Sequence, residues 1–321
     1  MTNKKNSRVI EHYVAPLDET PLAAVDSTVS DDAPSSLWKE AWVNLRTRPL
    51  FIVSAILILL IAVVSIFPQL FTSLDPSQSG FCKLDVALQG PSGGHPFGTD
   101  GQGCDIYAKT IYGARASVSV GILTTLFVVI IGGALGAIAG FFGGWVDSVL
   151  ARLGDIFFAL PLVLGALVVF QMPLFRDNKG ILSVVAVLTV LGWPNIARIT
   201  RGAVLSVRNA DYITASTALG VSRWGSLIRH ALPNSLAPII VVATVSLGTF
   251  IVAEATLSFL GIGLPQELLS WGQAISDART QLRTNPSVLL YPSAALCITV
   301  LSFIMLGDAL RDALDPKARK K

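Results

Sequence analysis

From Leu50 onward, long apolar runs alternate with shorter polar joints. A membrane-spanning helix needs about 20 mainly apolar residues. Six runs meet that requirement, at roughly Leu50–Phe71, Ala116–Phe142, Leu153–Phe170, Ile181–Ile199, Leu236–Phe259 and Val288–Gly307. Alternation of the β-barrel kind is absent, and lipid offers no partner to an open sheet edge. The pattern therefore predicts an all-α membrane protein of six transmembrane helices. Residues 1–36 are polar, with Pro16, Pro21 and Pro34 among scattered acids, and read as a disordered cytoplasmic tail. No apolar h-region of a cleavable signal peptide precedes Leu50.

Composition agrees with this division. The chain is 52% hydrophobic and 14% charged, where soluble domains carry about 25% charged residues. A net charge of +3 is too small to imply nucleic acid. Lys and Arg are instead patterned by topology. An N-terminus inside places Arg46, Arg152, Arg201, Arg208, Arg223 and the basic tail 316–321 in the cytoplasm, and Lys83, Lys109, Arg115 and Arg279 outside. The full bias is about twofold toward the inside. Both termini are then cytoplasmic, and residues 200–232 form the longest cytoplasmic connection. Residues 37–115 hold the first span and an external loop, and residues 116–315 hold a five-helix core.

Within the spans a few residues stand out. Gly132, Gly136 and Gly140 recur every four residues, a spacing that lets helix backbones approach closely. Asp147, Arg152 and Asp155 cluster near the inner end of spans two and three, with Arg152 and Asp155 spaced to pair on a helix. Glu254 is an isolated carboxylate in span five, with Ser258 one turn on. Such a group faces the bundle or a partner, either as a lining or gating group of a path or as a hydrogen-bonded interface residue. Cys297 in span six reads as a small apolar core residue.

The cytoplasmic connection contains TASTALGVSRWGSLIRHALPN. Residues 210–219 tolerate a helix, Gly220 suits the left-handed position after it, and Ser222 suits the N-cap of a second helix running to Ala231. Pro233 fits the first turn of span five. The prediction is two short helices around a sharp corner. The first presents the small residues Ala215, Ser216 and Ala218; Trp224, Leu227 and Ile228 give the second an apolar stripe. Two readings follow: an amphipathic segment resting on lipid headgroups, or a knob that docks into a cytoplasmic protein.

This stretch resembles the "EAA" loop of permease subunits in binding-protein-dependent ABC importers. Ala215, Gly220, Leu232 and Pro233 fall on that pattern, with Thr214 in place of its Glu and Ser216 in place of its second Ala. HPFGTDGQGCDIYAKTIYGARASVSVG, GGALGAIAGFFGGWVDSVLARLGDIFFALP and EATLSFLGIGLPQELLSWG resemble segments of dipeptide/oligopeptide permease C subunits. Cys104 departs from them, standing where that family has Arg.

The resemblance implies a homologous B-type permease as partner, with the translocation path between the two. It also implies two cytoplasmic ATPases (separate or fused), each gripping one such loop, and an extracytoplasmic binding protein that delivers substrate. The docking residues it implies are Asp211, Tyr212, Thr214, Ala215, Ser216, Ala218, Leu219, Gly220, Ser222, Arg223 and Trp224, with Arg223 a partner for an ATPase carboxylate. The location it implies is a bacterial plasma membrane.

No phosphate-binding G-x-x-x-x-G-K-[ST] loop occurs in the chain. ATP and Mg are therefore expected on the partner subunits, with no cofactor on this one. His12, His95 and His230 show no metal-ligand spacing. Cys82 and Cys104 share the outer loop, where disulfides persist, and a bridge between them is expected. Short peptides are the favoured cargo, with nickel and glutathione the alternatives within the family. A passive channel would need a ring of polar pore residues that the spans lack, and nothing points to a scaffold.

Overall fold

The structure is a computed structural model and describes residues 42–78 and 80–314. The tails expected at 1–36 and 316–321 lie outside the described residues. Among those described, all regular structure longer than an isolated bridge is helical.

Helix α1 spans Pro49–Ile66 and α2 spans Ile106–Phe142. The third run is broken into α3, Gly144–Ala159, and α4, Leu162–Phe170, which meet at a bend of 86°. Then follow α5, Ile181–Arg208; α6, Asp211–Ala218; α7, Arg223–Ser226; α8, Leu236–Phe259; α9, Trp271–Asp277; and α10, Ser287–Leu314. Five of these are long and apolar enough to cross a membrane, and the bent pair makes up to six. The break falls at Leu160–Pro161. Proline has no N–H and disfavours helix in the residue before it, so the chain turns there.

Helix α2 begins ten residues before the predicted span because Asp105 caps it, accepting from the Ala108 N–H at 2.6 Å. At 1.5 Å per residue its length is roughly 55 Å, well beyond a hydrocarbon core of about 30 Å. One end therefore extends beyond the hydrocarbon into a polar region.

Helices α2 and α5 pack in parallel through glycine. A Cβ on Gly132 would lie 2.5 Å from the Trp193 carbonyl, one on Gly136 2.3 Å from that of Ala197, and one on Gly140 2.7 Å from that of Arg201. Three glycines four apart thus meet three backbone positions four apart, and any side chain would pry the helices open. Asp147 adds a bidentate ion pair with Arg201, whose Nη2 donates at 2.7 Å. Arg152 lies 3.6 Å from Asp155, and Arg198 lies 3.9 Å from the same carboxyl. Cys297 departs from expectation: it is exposed on α10, not in the core.

Candidate functional site

The corner around Gly220 is built from local rules. Helix α6 ends in a paired cap: the Gly220 N–H donates to Thr217 O at 3.1 Å, and the Val221 N–H donates to Ser216 O at 3.1 Å. That motif needs a left-handed residue after the helix, and Gly220 supplies it with φ +86°. The Ser222 hydroxyl then caps the return arm, accepting from the Gly225 N–H at 3.1 Å. The return arm differs from the single helix expected. After α7 the chain widens into a π turn, Leu227–Ala231, then a short turn, Leu232–Asn234, before α8. Pro233 lies in that short turn rather than in α8 itself. Its ring would collide with the carbonyl four residues back in a regular helix, and a wider turn just ahead of it relieves the clash.

Of the residues expected to dock, Ser216 alone is buried, at 7% exposure. Its hydroxyl lies 2.8 Å from Ile213 O and 3.1 Å from the hydroxyl of buried Ser226, tying the two arms together. Asp211, Tyr212, Thr214, Ala215, Ala218, Leu219, Gly220, Ser222, Arg223 and Trp224 are all exposed. Leu219 is 86% exposed, an apolar knob at the turn. Leu227 is buried, whereas Trp224 and Ile228 of the expected stripe face outward.

The corner is seated on the inner ends of α2 and α5. Ile213, Leu227 and Ala231 pack with Ala137, Phe141 and Val204. Trp224 lies 4.7 Å from the Phe142 ring, and the Arg223 guanidinium sits over the same ring at 5.1 Å. Arg208 reaches back to the carbonyls of Gly140 and Phe141, at 3.3 and 3.4 Å. These contacts join the corner to the glycine-packed α2–α5 pair.

At the outer end, Glu254 and Ser258 are 0% exposed, so neither presents an atom to an open path in this chain. They form a clasp instead. Ser117 donates to one Glu254 oxygen and Ser258 to the other, each at 2.8 Å. Ser117 in turn accepts from the Trp271 N–H, and Ser258 from the Leu264 N–H, each at 3.2 Å. One carboxylate so pins both ends of the outer segment that joins α8 to α9.

The loop between α1 and α2 is ordered by its own motif. Cys82 and Cys104 are bonded to each other. Asp100 accepts from the Cys104 N–H and from Lys109 Nζ, both at 2.9 Å. His95 Nδ1 lies 2.7 Å from Asp105. Phe97 stacks on Tyr291 with ring centres 3.7 Å apart, fastening the loop to α10.

Sequence reasoning missed a groove between α5 and α8, where two cavities share Asn195, Ser246 and Thr249. The available signal was Asn195 directly after Pro194 in an otherwise apolar run.

Relatives decide the family. Residues 132–320 match the family described as binding-protein-dependent transport system inner membrane component. The chain belongs to that family. Residues 36–91 of the permease match the N-terminal TM domain of oligopeptide transport permease C. The permease is 40% identical over 286 residues to an oligopeptide transport system permease protein of Bacillus subtilis, covering 89% of this chain and 91% of that one. It is 39% identical to a dipeptide transport system permease protein of Alkalihalophilus pseudofirmus, over 88% of this chain and 91% of that one. A glutathione transport system permease protein of Pectobacterium atrosepticum is 33% identical, over 93% and 97%. The fold matches a chain of the inward-facing MetNI methionine ABC transporter with TM-score 0.53 and 22% identity, over 64% of this chain and 96% of that one. The permease is thus a multi-pass inner-membrane component of an ABC importer, within its peptide/oligopeptide branch.

Proposed function

We propose that the permease forms half of a translocation pathway for short peptides and that its inner corner receives the stroke of a partner ATPase. A homologous permease forms the other half, an external binding protein delivers the peptide, and both termini lie in the cytoplasm. ATP and Mg are bound by the partner subunits, and the permease itself performs no hydrolysis.

The observation that carries this reading is the capped, serine-tied corner around Gly220, which presents Leu219 and Trp224 outward while resting on α2 and α5. A headgroup-resting segment would carry a bulky apolar face ringed with Lys. The outward face of the corner carries bulky Tyr212, Leu219, Trp224 and Ile228 but no Lys, and α6 sets Asp211 and the small residues Thr214, Ala215 and Ala218 beside them, which suits a protein groove. Thr214 and Ser216 stand where the family pattern has Glu and Ala, so docking here rests on shape and on Arg223 rather than on a Glu contact.

The test is co-purification of ATPase chains in mild detergent. Leu219→Asp and Ala215→Glu should lose the ATPase and peptide uptake while the permease stays folded and membrane-inserted. Retained attachment and uptake in both variants would overturn the proposal.

A further inference from the structure

The groove between α5 and α8 has a chemistry of its own. One cavity of about 570 Å³ extends along α8 to Asp308 and Arg311 on α10. A second, of about 370 Å³, runs from the shared residues to the bend at Leu160–Pro161. Both fall within the roughly 300–1,000 Å³ typical of small-ligand sites. Apart from Asn195, Ser246, Thr249 and the charged pair at one end, the walls are apolar or glycine.

Asn195 is exposed on this wall, inside the predicted span 181–199. Its amide bonds to no other group among the described residues. Pro194 beside it has no N–H to give the carbonyl of Val190. Lipid satisfies neither an amide nor a freed carbonyl, so polar groups at such depth face protein or a watered cavity.

We infer that Asn195, Ser246 and Thr249 line the solute path and hold a peptide in transit by its backbone amides. The inference rests on the peptide-importer reading above and adds the contact residues and the mode of recognition. An amide side chain both donates and accepts, as does the hydroxyl of mostly buried Ser246, while that of Thr249 donates to Val245 O at 3.3 Å and offers its acceptor side. A ligand matched to them offers donors and acceptors in alternation and no fixed charge at mid-length, which is the pattern of a peptide backbone. Charges stand at the margins of the groove, Asp308 and Arg311 at one end and Arg198 stacked over Phe158 of the other cavity, so the middle reads the backbone rather than a charged side chain. The placement also connects drive to cargo: Asn195 sits on α5, whose far end packs against the corner through Val204.

The test uses the whole transporter in proteoliposomes with a labelled tripeptide. Asn195→Leu should lower uptake at limiting peptide about tenfold, the loss expected for one desolvated hydrogen-bonding group, and Asn195→Trp should abolish it. Wild-type uptake by both variants overturns the proposal.

A second measurement does not depend on those variants. Asn195→Cys in a Cys297→Ser background should react with a permeant maleimide, and saturating tripeptide should slow that reaction. No reaction, or a reaction indifferent to peptide, overturns the proposal and assigns the groove to lipid or to the partner permease. If the unmodified transporter imports no peptide, the importer reading itself fails. If it imports and the Asn195 variants are indifferent, only the groove assignment fails.

Discussion

The hydroxyls of Ser216 and Ser226 meet at 3.1 Å inside the corner around Gly220, one from each arm. Ser226 is 0% exposed, and its hydroxyl has no other side-chain partner among the described residues. Ser216→Ala therefore strands a buried hydroxyl, at a cost of about 1–3 kcal/mol. Removing Ser226 as well takes away the stranded group. The double variant should be less destabilised than the two single losses added together, which thermal melts of the purified transporter in detergent can read.

At Gly220 the backbone, not crowding, sets the penalty. Its φ is +86°, and a Cβ there would meet nothing within 4 Å. Gly220→Ala should cost about 1–2 kcal/mol through left-handed strain alone. Gly220→Val should cost more and weaken ATPase attachment by opening the corner. Gly220→Asn, which tolerates this conformation better, should restore part of both, and a pull-down titration against the ATPase would rank the three.

The glycine stripe makes a sharper prediction. At Gly136 even a methyl group would sit 2.3 Å from the Ala197 carbonyl, and backbone on both sides leaves little to give way. Gly136→Ala should destabilise the helix pair by about 1–3 kcal/mol, the range for overpacking. Gly133, one residue from the stripe, would meet nothing within 4 Å, so Gly133→Ala is the neutral control. Fluorescence-detected size exclusion after a heating series separates the two.

Glu254 anchors the next expectation. Glu254→Ala would leave the Ser117 and Ser258 hydroxyls buried beside a void, a loss of about 2–5 kcal/mol on the scale of large-to-small core changes. Glu254→Gln keeps the shape and one acceptor, so it should cost less. The segment pinned by this clasp, between Leu264 and Trp271, should become cleavable by protease in the Ala variant first. Equal protection in all three proteins would remove Glu254 from that role.

What could be read from sequence follows how local each determinant is. The corner was legible because Gly220 and Ser222 act within a few residues; the return arm was not, since the π turn ahead of Pro233 answers a clash four residues back. The glycine stripe was legible because four-residue spacing defines a helix face wherever it occurs. The break at Leu160–Pro161 was also within reach, since a proline after a short apolar run is a local signal, yet mean apolarity masked it. Glu254 was legible in orientation because a lone carboxylate in a span turns inward, whereas Cys297 was not. A helix apolar on every side has no polar face to fix its rotation, so the lipid-facing and core-facing sides carry the same residues. Asn195 was overlooked for a related reason: one polar residue in a span shows neither its depth nor its neighbours until α8 is placed beside it.

The outer disulfide offers the last prediction. Cys82 and Cys104 are 22 residues apart and joined, and Gly103 beside the bridge turns at φ +75°, where a Cβ would meet the Lys83 carbonyl at 1.8 Å. Closing a loop of this length limits the unfolded chain by about 3 kcal/mol in the entropic account. The bridge holds residues 81–88 to the segment that caps α2 and stacks on α10. Intact cells treated with an impermeant maleimide should show no labelling at these two positions until reductant is added. Cys82→Ser should then expose Cys104 to the reagent only slowly, because that residue is 2% exposed. Since the bridge lies far from the corner around Gly220, reduction should loosen the loop between α1 and α2 and lower thermal stability while leaving the proposed ATPase attachment at that corner intact. Loss of attachment on reduction would mean that the two ends of the permease are coupled more tightly than the helix packing alone explains.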